Sequence, residues 1–201
     1  MTREALLVGL TLVPLAPRPR TPGVRAVAPP AAVAVLAGGC YWGVESVFRH
    51  VRGVRSATSG FAVPREHRGT DTLPPAEAVR IVYDPARISY RRLLAVFFTV
   101  AHDPTEVDRQ GPDVGPEYRS IVFVAGAEER RIARAVVDSL GAARVFSRPI
   151  VTEIATLGSF QTADPAQQDY AARHPTDPYI VANDAPKLRA LRRRFPALYR
   201  G

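Results

Sequence analysis

The tightest constraint on the fold lies between residues 31 and 53. An unbroken apolar run, Ala31-Ala32-Val33-Ala34-Val35-Leu36-Ala37, meets the glycine pair Gly38-Gly39. Cys40, Tyr41, Trp42 and Gly43 follow, and then apolar residues at helical spacing: Val44, Val47, Phe48 and Val51. A short continuous apolar run closed by glycines reads as a buried strand, and the spacing after it is one face of a helix. The chain therefore passes from strand to helix through a glycine turn, with Cys40 at the first helical turn. Cys40 is the only cysteine in 201 residues. The first helical turn has unpaired N–H groups and a positive dipole end, and both favour thiolate, the nucleophilic form. A small buried core residue is the other reading of a free cysteine. Position alone leaves both open.

The rest of the chain alternates in the same way. Gly53 ends the first helix, and Val54 to Ala62 suits a strand. Residues 64 to 75 are polar and rich in Pro and Gly, so they read as a loop. Glu77 to Tyr83 is a strand stopped by Asp84-Pro85. Ser89 is a good N-cap for a helix carrying Leu93, Leu94, Phe97 and Val100, which ends near His102-Asp103-Pro104. A long loop leads to Pro116. Arg119 to Val124 is a strand, Ala127 to Leu140 an amphipathic helix, and Ile150 to Leu157 a further strand. A short helix from Pro165 to Arg173 and a basic one from Pro186 to Phe195 complete the order. The β-α-β-β-α-β-α-β sequence predicts an α/β (α+β) two-layer sandwich, a ferredoxin-like mixed sheet with helices packed on it.

The totals exclude several classes. One cysteine rules out an intramolecular disulfide and a cysteine-built metal site. His50, His67, His102 and His174 are scattered without ligand spacing, so no metal site and no cofactor is expected. Net charge is +8, almost wholly from arginine, with Lys187 the only lysine. No helix-turn-helix, zinc finger or aromatic RNA-binding motif accompanies that charge, so nucleic acid is not expected as a partner. The apolar stretch Ala5 to Val13 is too short to span a bilayer. Pro14, Pro17, Pro19, Pro22, Pro29 and Pro30 crowd the segment after it. Residues 1–30 read as a leader, disordered or weakly signal-like, and 31–201 as one domain with a basic C-terminal tail. A cytoplasmic monomer without membrane association is expected, with export by the leader as the other outcome.

A reactive thiol needs a partner that moves protons. His102 and His174 each precede a turn and suit capping or core roles better than a Cys-His dyad. Glu77 stands between a proline-rich loop and a wholly apolar strand. It is either an exposed strand-start glutamate or a half-buried carboxyl whose raised pKa makes it a proton donor. Asp113 and Tyr118 flank a Gly-Pro turn and could be turn formers only. Tyr41 and Trp42 beside the thiol either pack into the core or wall an apolar pocket for a methyl group. A thiolate, an apolar wall and a carboxylic acid suit a substrate with a soft electrophilic atom, a methyl group and an oxygen to be protonated. Methionine sulfoxide has all three.

The motifs then become specific. Gly39-Cys40-Tyr41-Trp42-Gly43, Ala76-Glu77-Ala78-Val79, His102-Asp103-Pro104-Thr105 and Asp113-Val114-Gly115-Pro116-Glu117-Tyr118-Arg119-Ser120 occur in that order. Together they make residues 32 to 200 resemble the A-type peptide methionine sulfoxide reductases. Phe160 to Tyr170 and the tail through Pro178-Tyr179-Ile180 and Asn183-Asp184 match more loosely. The resemblance implies that Cys40 attacks the sulfoxide sulfur of methionine-S-sulfoxide, peptide-bound or free. It implies that Glu77 donates a proton to the oxygen, that Tyr118 hydrogen-bonds this oxygen, and that Asp113 acts through water or orients the site. Tyr41 and Trp42 would hold the ε-methyl group. The products are methionine and a Cys40 sulfenic acid, in repair of oxidised proteins.

Four departures from the family pattern stand out. No resolving cysteine follows Cys40, so the sulfenic acid must be reduced by an external thiol: thioredoxin, glutaredoxin or a small thiol. The family's Gly-Tyr-x-Gly-Gly loop is here Gly60-Phe61-Ala62-Val63-Pro64, so one of two expected phenols is missing. Tyr41 carries a hydroxyl where the family has phenylalanine. Pro75 and Ala166 stand where histidines are usual. These changes leave a second reading, a degenerate relative that binds oxidised methionine or senses peroxide without turnover.

Overall fold

The computed structural model describes residues 30–66 and 73–201. Nearly all of the leader segment, and the centre of the 64–75 loop, lie outside them. The elements run β1 (Ala32–Ala37), α1 (Tyr41–Arg49), β2 (Val54–Pro64), β3 (Ala76–Tyr83) and α2 (Tyr90–Val96). A hairpin of β4 (Arg109–Gln110) and β5 (Asp113–Val114) follows, then β6 (Ile121–Val124), α3 (Ala127–Ala142) and β7 (Glu153–Thr162). Two helices, α4 (Tyr170–Arg173) and α5 (Ala185–Arg194), end the chain. The mixed α/β character matches expectation.

The sheet differs from an open two-layer sandwich. Its strand order is β1-β3-β2-β7-β6, and β6 returns to pair with β1, so the sheet closes on itself. All pairings are antiparallel except β6 with β7. The closing strand is β7, which runs beyond the expected Leu157. Glu153 to Thr156 pair with β6, and Leu157 to Thr162 pair with the far end of β2. The second half reads Gly-Ser-Phe-Gln-Thr after Leu157, with no apolar run to mark it in sequence. Gly158 sits at the crossing: a Cβ there would lie 2.8 Å from the carbonyl oxygen of Val63 and 3.0 Å from the Arg65 nitrogen. Only a residue without a side chain lets the two backbones meet so closely.

Closure explains the opening sequence feature. One face of the strands fills the closed interior with mostly small side chains: Val35, Ala37, Ala62, Ala76, Ala78 and Ala155, with Ile121 and Phe123. The other face, through Ala34, Leu36, Val79, Ile81, Val122 and Val124, packs on the helices. β1 is thus buried on both faces, which is why its apolar run is unbroken rather than alternating. Val44, Val47 and Phe48 of α1 and Leu93 and Leu94 of α2 complete that second core. Each such buried side chain contributes about 1.5–3 kcal/mol.

Local differences have local causes. Ser89 caps α2, its hydroxyl accepting the Arg92 N–H at 3.3 Å. The helix then loosens into a π-helical turn, Phe97–Ala101. His102 ends it and is buried, bonded to the carbonyl oxygen of Phe97 (3.0 Å) and to Ser120 Oγ (2.7 Å). Burial lowers its pKa to about 4, so it is a neutral core group. The helix expected over 165–173 splits into a 3₁₀ turn, Pro165–Gln167, and α4. Between them Gln168 bonds to the Ser59 backbone at both N–H and carbonyl (2.9 Å each), which ties this segment to β2 and breaks the helix.

Candidate active site

The glycine pair builds the turn that holds the thiol. Gly39 has φ +84°, a conformation open to glycine. A Cβ on Gly38 would strike the rings of His102 (2.8 Å) and Phe97 (2.9 Å). Cys40 is the N-cap of α1, and its side chain makes no capping hydrogen bond. The free amides are used otherwise. The Tyr41 N–H donates to Glu77 Oε2 at 3.0 Å, and the Trp42 N–H lies near enough to the Cys40 sulfur to pull its pKa down. A carboxylate from β3 therefore sits at the positive end of α1 beside the thiol.

All six residues singled out in the sequence, Cys40, Tyr41, Trp42, Glu77, Asp113 and Tyr118, line one cavity of about 500 Å³. They arrive from α1, β3, β5 and the 3₁₀ turn Pro116–Tyr118. Phe61, Gln167 and Tyr179 also line it. A second surface cavity of about 450 Å³, near Arg144 and Arg148, contains no acid or thiol. Among the described residues, no cluster of His, Cys, Asp and Glu could hold a metal ion.

Electrostatics at the thiol run against the expectation drawn from helix position. Cys40 is 7% exposed. Burial, then the Glu77 charge, pushes its pKa up to about 12, outweighing the Trp42 N–H and the Tyr179 hydroxyl, which pull it down. The resting group is a neutral thiol. Glu77 is raised to about 7, mainly by burial; the Tyr41 N–H pulls it down, while Asp113 and Glu117 push it up. Near neutral pH this carboxyl is close to half protonated. Tyr118 is raised to about 12 by burial and then by Glu77, so its hydroxyl keeps its proton.

The apolar wall is held in place by polar ties. Trp42 stacks on Tyr170, centroids 3.9 Å apart and planes 11° apart. Its indole N–H donates to Gln167 Oε1 at 3.0 Å. Tyr41 meets Phe61 edge-on at 5.7 Å, and its hydroxyl points to the same Gln167 oxygen at 3.5 Å. Behind the wall, buried Glu45 accepts from Ser59 Oγ (2.9 Å) and from the Asp169 N–H (3.0 Å), which ties α1 to β2 and to the segment carrying Gln167.

Two site groups escaped the residue-by-residue reading. The Tyr179 hydroxyl donates to Asp113 Oδ2 at 2.5 Å, and Gln167 holds Trp42. Tyr179 lies in the loosely matching tail, and no local spacing marks its hydroxyl as part of a site 139 positions after the thiol. Tyr179 thus brings a phenol into the cavity from another part of the chain. Tyr41, by contrast, directs its hydroxyl to Gln167.

The glycine turn, buried thiol, facing carboxyl and aromatic wall meet at one cavity, an arrangement that suits redox chemistry on a small sulfur group. Residues 32–198 match the family model described as peptide methionine sulfoxide reductase, and the chain belongs to that family. A relative from Mesorhizobium japonicum, peptide methionine sulfoxide reductase MsrA 2, is 44% identical over 178 residues, covering 86% of this chain and 91% of that one. Methionine sulfoxide reductase A of Corynebacterium diphtheriae superposes with a TM-score of 0.60 at 32% identity, over 74% of this chain and 77% of that one. Reduced Mxr1 of Saccharomyces cerevisiae gives a TM-score of 0.63 at 25% identity, over 73% and 87%. The chain is an oxidoreductase that reduces methionine sulfoxide in protein repair, a peptide-methionine (S)-S-oxide reductase. Among the described residues, no helix is long and apolar enough to cross a membrane.

Proposed function

We propose that Cys40 is the nucleophile and Glu77 the acid of methionine-S-sulfoxide reduction. The observation that carries this is the Glu77 carboxyl on the Tyr41 N–H, one residue from the thiol, with a pKa raised to about 7. The Cys40 sulfur attacks the sulfoxide sulfur while Glu77 protonates the oxygen. The oxygen ends on Cys40 as a sulfenic acid, and methionine leaves. The sulfoxide sulfur gains two electrons and the cysteine sulfur loses two. Tyr118 donates a hydrogen bond to the same oxygen, and Asp113 orients the site. Tyr41 and Trp42 enclose the ε-methyl group. Two external thiols return Cys40 to the thiol, releasing water and forming a disulfide between themselves. Thioredoxin, glutaredoxin and small thiols all suit this step.

Residues 31–201 act as one catalytic domain, monomeric and cytoplasmic, with 1–30 as a leader. The order β6-β1-β3-β2, antiparallel throughout, supports a ferredoxin-like core to which β7 is an addition. The test is turnover of blocked methionine-S-sulfoxide with dithiothreitol. Wild-type protein is expected to reduce it, Cys40→Ser to abolish this, and Glu77→Gln to slow it sharply. Absence of S-epimer turnover by the wild-type chain would refute the reading.

A further inference from the structure

The Tyr179 hydroxyl lies between two groups that compete for its single proton. It donates to Asp113 Oδ2 at 2.5 Å, and it lines the same cavity as Cys40, near enough to the sulfur to pull the thiol pKa down. A phenol has one proton to donate. A bond to the Asp113 carboxylate and a bond to a Cys40 thiolate therefore exclude each other.

The surroundings leave little else to stabilise a thiolate. Glu77 faces Cys40 from β3, and Asp184 faces it from the turn before α5; both charges oppose ionisation. Tyr41 and Tyr118 are close enough to be coupled to Cys40. Lys187 is committed to Asp184 at 3.1 Å. Two donors remain, the Trp42 N–H and the Tyr179 hydroxyl. Tyr179 is held firmly for the task. Its N–H donates to Asp177 Oδ1 (2.8 Å), its carbonyl accepts from Asn183 Nδ2 (3.0 Å), and its ring meets Trp42 edge-on at 5.8 Å.

Building on the assignment of Cys40 as nucleophile, we propose that Tyr179 is a catalytic residue whose hydroxyl moves its hydrogen bond from Asp113 to the Cys40 sulfur as the thiolate forms. At equilibrium the thiol proton is released to water. Asp113 is then the resting acceptor, and it controls when the phenol is free.

The test reads Cys40 without any sulfoxide, by its alkylation rate with iodoacetamide across pH 8–11 in pre-reduced protein. In Tyr179→Phe the thiolate fraction at a given pH is expected to fall by about tenfold to a hundredfold, as for loss of a bond to a charged group. Single-turnover reduction of methionine sulfoxide is expected to fall by a similar factor, with KM little changed. Asp113→Asn replaces the charged acceptor by a weaker neutral one and is expected to speed alkylation in the native chain but much less in the Tyr179→Phe background. An unchanged alkylation profile in folded Tyr179→Phe overturns the proposal, as does an equal effect of Asp113→Asn in both backgrounds. If Tyr179→Phe does not fold, Asp113→Asn alone decides: faster alkylation supports the proposal and unchanged or slower alkylation overturns it. A wild-type chain that fails to reduce sulfoxide while the alkylation shift persists would refute the assigned reaction and leave the role of Tyr179 standing.

Discussion

The Glu77 carboxylate accepts the backbone N–H of Tyr41 at 3.0 Å, which puts the acid on the first turn of the helix whose N-cap is the thiol. A helix N-terminus favours both anions, yet burial raises both groups, and the Glu77 charge further opposes ionisation of Cys40. They therefore lose their protons in order, Glu77 at about 7 and Cys40 at about 12.

In the proposed reaction the reactive form is thiolate with protonated Glu77, which carries the same charge as thiol with carboxylate. Its share of the singly protonated pair does not change with pH. Single-turnover reduction of methionine sulfoxide is expected to rise with pH through about 7 and then hold level towards about 12. Glu77→Gln keeps an acceptor for the Tyr41 N–H but has no proton to give. It is expected to lose the inflection and to slow the reaction by about 10²–10⁴. Stability carries the same signature. The folded state binds the Glu77 proton more tightly than the unfolded chain, so this group's contribution declines as pH rises from 4.5 to about 7. A Tm series across that range, compared with Glu77→Gln, checks the sign.

Gly43 makes a different prediction, about packing. A Cβ there would meet Asp184 Oδ1 and Lys187 Nζ, and Asp184 is only 1% exposed. An unhindered Gly→Ala change inside a helix gains up to about 1 kcal/mol. Displacing a buried ion pair costs more, about 1–3 kcal/mol for overpacking alone. Gly43→Ala is expected to lower the Tm. Gly141→Ala in α3, where nothing lies within 4 Å, is expected to raise it. Thermal melts of the two variants test whether contact, rather than helix propensity, governs position 43.

What the sequence made legible was local. The strand, glycine turn and helix around Cys40 follow from period and turn chemistry, and the six residues singled out do meet in one cavity. The closed sheet was not legible, because the second half of β7 pairs through backbone groups and carries no apolar pattern. The thiol's environment was left open, because helix position is visible in sequence and burial is not. Tyr179 and Gln167 were missed for a related reason. Their contacts with Asp113 and Trp42 span 66 and 125 positions, which no local rule reaches.

The stacked wall gives a prediction about substrate binding. Trp42 is braced by Tyr170 at 3.9 Å and by Gln167 at 3.0 Å. If it encloses the methyl group, Trp42→Ala is expected to cut kcat/KM by about 10- to 200-fold, mostly through KM. Gln167→Ala leaves the indole in place but without its acceptor, and is expected to cost about 1 kcal/mol, roughly fivefold. Steady-state kinetics on a blocked methionine sulfoxide distinguish the two effects. A loss confined to kcat in Trp42→Ala would place the indole at the reacting atoms instead.

Cys40 has no second cysteine in the chain to pair with, and at 7% exposure it is shielded from a second copy. Its oxidised form is therefore expected to stop at the sulfenic acid. Pre-reduced protein mixed with methionine sulfoxide and no reductant should release one methionine per chain. It should gain one oxygen, about 16 Da, at Cys40, and be trapped by dimedone. Adding dithiothreitol, thioredoxin or glutaredoxin singly to that oxidised protein then ranks the three as reductants by the rate of thiol recovery. A loss of two hydrogens in place of a gained oxygen, or a disulfide-linked dimer, would contradict the one-cysteine cycle. Rapid recovery with thioredoxin would mean that the 500 Å³ cavity admits a protein thiol as well as a methionine side chain.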